Sequence, residues 1–327
     1  METGQPVLAI DVGGTKVALA VVDAQGTILD DEVVPTATSS DGDAIWAPIG
    51  AGLAALLKRS GDDVTEVGVG SAGPIDAPSG TVSPVNIGGW REYPLVRQIT
   101  AAVSGATGSD PRVLLAGDGH CIALGEHWLG AGRDFDTMVG MVISTGIGGG
   151  AVIKNRLFAG TTGNAVHIGH TSVNAWGARC VCGSHGCVEM YARGPALVEA
   201  ARAKGWQGAD GKELTQAAAA GDTVAIEVID NGMRAAAAGI AATATYLDID
   251  QFVIGGGLSK AGAVIFDPLR RHLRDFAVLP YVVDLQIHPA ELENAGLLGA
   301  ASLALSLTGR GPLEPDELIG LTDAERP

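Results

Sequence analysis

The sequence is short of positive charge. Its 327 residues carry 21 Lys and Arg against 37 Asp and Glu, a formal net charge of -16. That balance disfavours nucleic acid and anionic membrane as partners, because both repel an acidic surface. Small anions stay open to it, since a nest of backbone N–H groups holds phosphate on an acidic protein. No run of about 18 apolar residues occurs, so no transmembrane helix is expected. The opening METGQPVLAIDVGG has no basic segment and reaches Asp11 before an apolar stretch develops. A secretory leader is therefore not expected, and the cytoplasm is the expected location. Cysteine is scarce: Cys121, Cys180, Cys182 and Cys187 are the four, and three lie within eight residues. In an untargeted chain that clustering points to metal binding and away from a disulfide framework. The glycine segment Asp11 to Lys16 is neither a Walker A loop nor a GxGxxG fingerprint.

What is there is a globular composition, 46% hydrophobic and 18% charged, long enough for two domains. Val7 to Asp11, Lys16 to Asp23 and Thr27 to Val34 read as closely spaced strands, and Ile45 to Ser60 has helical spacing. Val67 to Gly70 and Val113 to Ala116 read as strands, Leu95 to Val103 and Cys121 to Leu129 as helices. The Gly- and Pro-rich Ser71 to Arg91 reads as loop. The plan then repeats: Met138 to Ser144 runs into glycines and continues as a strand from Ala151 to Ile153. Two halves of related architecture are implied. The small-sided stretch Arg234 to Leu247 reads as a buried helix, Gln251 to Ile254 as a strand and Ala295 to Leu307 as a last helix. The tail from Thr308 is expected to fray.

Three strands run into glycine. The first junction is Asp11-Val12-Gly13-Gly14-Thr15-Lys16, the second Ser144-Thr145-Gly146-Ile147-Gly148-Gly149-Gly150, the third Ile254-Gly255-Gly256-Gly257-Leu258-Ser259. Glycine after a strand lets backbone N–H groups approach a phosphate, while Thr15 adds a hydroxyl and Asp11 offers a carboxylate to a metal-bound water. Each junction alone also reads as a tight turn needing positive φ. Three in one chain suit two phosphate loops and a segment near a nucleoside, as ATP requires.

His170 with Cys180-Val181-Cys182-Gly183-Ser184-His185-Gly186-Cys187 has the makings of a closed Cys3His zinc site, structural in kind. His185 competes with His170 for the fourth position but is better placed for the surface, and a set of buried free cysteines is the alternative reading. Asp118, in Leu115-Ala116-Gly117-Asp118-Gly119-His120, follows a strand. A carboxylate there suits deprotonation of an alcohol during phosphoryl transfer. It suits equally an N-cap for the helix that follows.

Taken together these residues resemble the ROK family, which includes bacterial glucokinases, N-acetylhexosamine kinases and sugar-responsive repressors. The resemblance spans roughly Val7 to Leu307: DVGGTK and STGIGGG look like its two phosphate loops, IGGGLS like its nucleoside-proximal segment, and GNAVHIGH with CVCGSHGCVE like its signature and zinc loop. It implies an α/β protein of the actin-like, hexokinase-like ATPase fold, two α/β domains with a cleft between them. The domains would be 1–116, rejoined by the C-terminal helix at about 301–327, and 117–300 with the zinc loop. The repressors' N-terminal DNA-binding segment has no room before residue 11. ATP with Mg2+ and structural Zn2+ are the implied cofactors, with polyphosphate open as a donor, and a homodimer is the implied assembly.

The resemblance also assigns residues one by one. Asp118 falls on the catalytic aspartate, Glu189 on a glutamate at the anomeric side of the sugar, and His170 on the histidine that ligates zinc and approaches the sugar. Asn86 and Gly89, in Asn86-Ile87-Gly88-Gly89-Trp90, fall on a sugar-side loop. Two positions depart. Gly117 stands where the family has Asn, and His167 where it has Glu, both beside ring carbons 2 to 4. A missing partner for a buried hydroxyl costs about 1–3 kcal/mol. The expected acceptor is thus a glucose analogue altered near position 3, such as kanosamine, or a seven-carbon cyclitol. Ordinary glucokinase is the alternative, and a non-enzymatic sugar sensor the third reading.

Overall fold

The computed structural model describes residues 5–61 and 64–309; the tail expected to fray lies almost wholly outside them. The chain divides into two compact units, Met1–Asp136 with Gly150–Ala165 and Leu292–Pro327, and Thr137–Gly149 with Val166–Glu291.

The first unit opens with β1 (Val7–Val12), β2 (Lys16–Val22) and β3 (Ile28–Pro35), followed by α1 (Gly42–Ser60) and β4 (Glu66–Ser71). The expected loop after β4 contains a small hairpin, β5 (Ile75–Asp76) and β6 (Thr81–Val82), before α2 (Leu95–Thr107), β7 (Arg112–Gly117) and α3 (Asp118–Leu129). Its sheet has the order β3-β2-β1-β4-β7. The first three strands form an antiparallel meander, and β1, β4 and β7 run parallel. β1 and β4 are buried along almost their whole length, as strands covered on both faces are.

Next come β8 (Met138–Ile143), β9 (Ile147–Ile153) and β10 (Arg156–Phe158), then α4 (Glu189–Ala192), α5 (Gly194–Ala203), α6 (Gly211–Ala219) and α7 (Thr223–Leu247). The chain continues through β11 (Gln251–Gly255), α8 (Ala263–Phe276), β12 (Gln286–Pro289) and α9 (Ala295–Ser306). The second sheet, β10-β9-β8-β11-β12, repeats the strand plan of the first, so the repeat expected from sequence is present. The division between the units passes through β9.

The observed division differs from a boundary at 116/117. Helix α3 remains with the first unit because it packs on α9, which also lies along β1 and β4. Every residue of α9 is buried, as an all-round apolar helix requires. Its approach is close enough to need glycine. A Cβ on Gly299 would run into the Cys121 carbonyl, one on Gly125 into the Ala295 carbonyl, and one on Gly68 into the Ala300 carbonyl. No helix among the described residues is long and apolar enough to cross a membrane.

Because the atom opposing Gly299 is backbone, it cannot rotate away. Gly299→Ala is expected to destabilise the fold by about 1–3 kcal/mol, seen as a lower denaturation midpoint. An unchanged midpoint would contradict this packing.

Candidate active site

The turn between β1 and β2 carries Asp11 to Lys16. The Gly13 N–H donates to the Lys16 carbonyl at 3.0 Å, and the Thr36 hydroxyl and N–H tie down the Gly13 and Thr15 carbonyls at 2.8 and 3.0 Å. Neither Gly13 nor Gly14 has positive φ, so the turn reading that required it is not met. Gly14 is instead needed for clearance: a Cβ there would stand 2.5 Å from Asn86 Nδ2. The Asn86 amide thus lies over the glycine loop. Thr15 and Lys16 are exposed beside it.

Asp11 is the one polar residue of an otherwise apolar strand. Its pKa is raised to about 6, first by desolvation and then by the charge of Asp118, with Lys16 opposing. A Cβ on Gly296 would lie 2.8 Å from Asp11 Oδ2, so a glycine of α9 closes off this carboxylate. Asp118 begins α3, but as the first helical residue: the N-cap is Gly117, which has no side chain to cap with. The cap reading is replaced by a local bond, the Gly119 N–H donating to Asp118 Oδ1 at 2.7 Å. Desolvation raises the Asp118 pKa, and that bond opposes it. Cys121, one turn on, is fully buried and its thiol pKa is pushed up by burial, Asp11 and Asp118, so it is no nucleophile.

Gly117 has room for a side chain, the nearest atom to a built Cβ being His120 Nδ1 at 3.4 Å. His120 itself is buried, with Nε2 2.9 Å from the Ala165 carbonyl. Gly89 is held by packing: a Cβ would meet the Ser39 carbonyl and Ile45 Cδ1. The buried Trp90 beside it donates from Nε1 to the Gly42 carbonyl at 3.1 Å and stacks on Tyr93 at 4.8 Å. The first unit therefore brings together Asp11, the glycine loop, Asn86 and Asp118.

The second unit holds the other groups. After β8, the Ser144 N–H bonds the Gly146 carbonyl at 2.9 Å, and the Ile147 N–H donates to Glu189 Oε2 at 3.0 Å. Gly146 leaves space for that carboxylate, a built Cβ standing 3.2 Å from Oε2, while Gly148 has none of these constraints. Arg193 Nη1 lies 3.8 Å from Glu189 Oε1. Gly256, after β11, has φ 96°, and a Cβ there would strike the Ile143 backbone, so here a glycine is required on both counts. Thr145 and Gly257 open onto a cavity of about 1110 Å³ walled by α5, α6 and the start of α8. Sequence reasoning found those two residues and missed the helical walls, Val198 and Lys212 among them. Their signal, an amphipathic period after Gly194, says only that one face is covered.

His167 follows Val166, a β-branched residue with φ 59°. Left-handed backbone at such a residue costs about 1–2 kcal/mol, and strain of this kind collects at functional sites. The Val166 carbonyl accepts from Ile168 N at 2.7 Å, holding the turn that presents His167. The His167 residue is exposed, yet loss of hydration around its ring lowers its pKa. His170 lowers it further and Glu189 opposes. Its ring stands edge-on to His170 at 5.9 Å.

His170, Cys180, Cys182 and Cys187 bring their ligand atoms within 4.8 Å of one another. Cys180 Sγ lies 3.8 Å from His170 Nδ1, and Cys182 Sγ 3.7 Å from Cys187 Sγ. A tetrahedron of Zn–S bonds of about 2.3 Å has edges of about 3.8 Å, so the set fits zinc. Positive φ at Gly183 and Gly186 turns the loop back on itself. The exposed His185 is outside the cluster, which removes it as the fourth ligand.

Comparison with known proteins agrees with this geometry. The ROK family model matches residues 7–306. A glucokinase of Streptomyces coelicolor is 34% identical over 91% of this chain and 96% of its own length. An N-acetylmannosamine kinase of Escherichia fergusonii is also 34% identical, over 91% and 97%. The crystal structure of a ROK family glucokinase from Streptomyces griseus in complex with glucose and AMPPNP superposes with a TM-score of 0.76 at 35% identity, covering 92% of this chain and 99% of that one. The fold is that of the ROK hexokinase-like ATPases. The chain belongs to the ROK family.

The raised pKa of Asp11 has a consequence for stability. Its folded pKa, about 6, lies above the ordinary 3.8, so the folded protein binds this proton more tightly than the unfolded chain does. Stability contributed by the neutral carboxyl is lost as pH rises from about 4 to about 6. Asp11→Asn is therefore expected to be more stable than the parent, by up to about 3 kcal/mol at pH 8 and by less at pH 5. A gain that does not grow between those two pH values, or a loss, would contradict the desolvated carboxylate.

Proposed function

We propose that the chain transfers the γ-phosphoryl group of ATP to the primary, 6-, hydroxyl of a glucose-like sugar, and that its best acceptor is altered near position 3. The chain is a sugar kinase. The observation that carries the reading is Asp118, a desolvated carboxylate at the start of α3 whose pKa is raised, which makes it a stronger base. Asp118 takes the proton of the attacking hydroxyl as the new P–O bond forms. The bond between the γ-phosphorus and the β-phosphate oxygen breaks, and ADP leaves. Mg2+ with the nucleotide would supply charge neutralisation on the phosphates. Asp11, an oxygen donor beside the glycine loop, is the residue suited to hold it or its waters. Thr15 and Lys16 on one glycine loop, and Thr145 with the backbone of Gly146 and Gly148 on the other, bind phosphate. Gly256 and Gly257 face the nucleoside.

On the acceptor side the proposed contacts are Asn86 and Gly89, Gly117 with its missing amide, and His167, His170 and Glu189. His167, its pKa lowered, is neutral at neutral pH. A neutral imidazole accepts from a neutral amine or donates to a hydroxyl, whereas a carboxylate only accepts and would serve an ammonium better. Kanosamine and a seven-carbon cyclitol suit that edge. The similarity to glucokinases at 34% and 35% identity favours a second reading, ordinary glucokinase. ADP release measured over a panel of sugars separates them. The first reading expects a position-3 analogue to have a higher kcat/KM than glucose, and Gly117→Asn with His167→Glu to move preference back by about 1–3 kcal/mol per restored bond. Glucose as the best substrate would establish the second reading. No release with any sugar would leave only the sensor.

The Cys3His cluster holds a structural zinc in this reading, stabilising the loop that carries His167 and leads into Glu189. One zinc per chain is expected by elemental analysis. Cys182→Ser is expected to release it and lower the melting temperature. A folded, active protein without zinc would refute the site.

A further inference from the structure

The large cavity of the second unit has a feature that bears on the phosphoryl donor, and the inference rests on reading that cavity as the nucleotide site. Its walls are in part apolar: Val198 and Leu258 are buried, and Pro195, Ala219 and Val264 extend the surface. Its polar side chains divide into two kinds. Several are engaged within the protein. Arg202 donates to the carbonyls of Gly208 and Ala209 at 2.9–3.2 Å. Asp210 accepts from the Glu213 N–H at 2.9 Å as the cap of α6. Thr215, which is buried, donates to the Lys212 carbonyl at 2.9 Å. Of the others, Thr145, Glu199, Lys212, Gln216 and Lys260 are exposed, and Ser144 is half-buried with a hydroxyl that donates or accepts as its partner requires.

Base selection of the strong kind needs a desolvated polar group that is stranded when the wrong base enters. An exposed side chain exchanges its bond with water and discriminates weakly. An apolar slot measures size and shape, and adenine, guanine and hypoxanthine share one ring system. The two lysines add positive charge on a chain of net charge -16: Lys212 at the start of α6, and Lys260 three residues past Gly257. Ammonium groups there suit the ribose-phosphate part, which is common to every nucleotide.

We infer that the donor site reads the shape of a purine and the charge of its phosphates but not the edge of the base, so that GTP and ITP serve as phosphoryl donors alongside ATP. The bond broken and the bond formed are the same for each, and the leaving group is the corresponding diphosphate.

The test is steady-state kinetics of the full-length protein with one saturating sugar and ATP, GTP or ITP, read as sugar phosphate formed. The expected kcat/KM values fall within about tenfold of one another. Lys260→Met and Lys212→Met are expected to raise the KM for ATP and GTP by the same factor while leaving the sugar KM unchanged. A preference for ATP beyond about tenfold, or a lysine variant that alters the ratio of ATP to GTP, overturns the inference and leaves the kinase reading standing. If no nucleoside triphosphate is a donor and inorganic polyphosphate is, the nucleotide reading of the cavity fails, and the inference with it.

Discussion

The close seating of α9 is the constraint on which the first unit depends. An apolar helix is laid against α3 and against β1 and β4 at a distance that only glycine permits, at Gly68, Gly125 and Gly299. Two consequences follow. Helix α3 is fixed relative to the sheet, and Asp118, its first residue, with it. The end of β1 is closed from behind by Gly296, which removes water from Asp11. Two carboxylates held in a poorly hydrated place near a like charge are destabilised as ions. A carboxylate that holds its proton more tightly is a stronger base, which is the property the proposed role of Asp118 uses.

The second unit shows the same relation between backbone and site. Its loops are stabilised by local devices: the positive-φ glycines of the cysteine loop, the Ile147 N–H bond to Glu189, and the required glycine at 256. Val166 stands apart from these, a β-branched residue kept in a conformation glycine prefers. The sequence could not announce it, because Val reads as a strand former. Here the tertiary setting overrides propensity, at the residue that leads into one of the two departures from the family pattern.

Much of the architecture was legible in advance. Strong apolar runs ending in glycine marked β1, β4, β8 and β11, and the repeat of strand, glycine turn and strand foretold two sheets of one plan. Spacing and flanking glycines marked the four residues that the fold brings together, His170 with Cys180, Cys182 and Cys187. The failures have physical causes. The glycines at 13 and 14 were legible as glycines, but the clearance of Gly14 from Asn86, distant in sequence, was not, and the alternative reading as a positive-φ turn is not met. The domain edge was misplaced because the partner of α3 is α9, which arrives some 170 residues later. The walls of the cavity, α5 and α6, carry an ordinary amphipathic pattern, which reports burial and not what it is buried against. The bonds of Arg202, Asp210 and Thr215 are local ones, but that these residues line a cavity is visible only in three dimensions.

The central claim is that Asp118 acts as the base and is not merely part of a helix start. Its most direct test is Asp118→Asn, which keeps shape and hydrogen-bonding size while removing the charge. Single-turnover phosphorylation and equilibrium binding of sugar and ATP would be measured on the same preparation. The account predicts turnover lower by about 10²–10⁴-fold with both affinities within a few-fold of the parent. Turnover within a few-fold of the parent, on a protein that still binds both substrates, would contradict it.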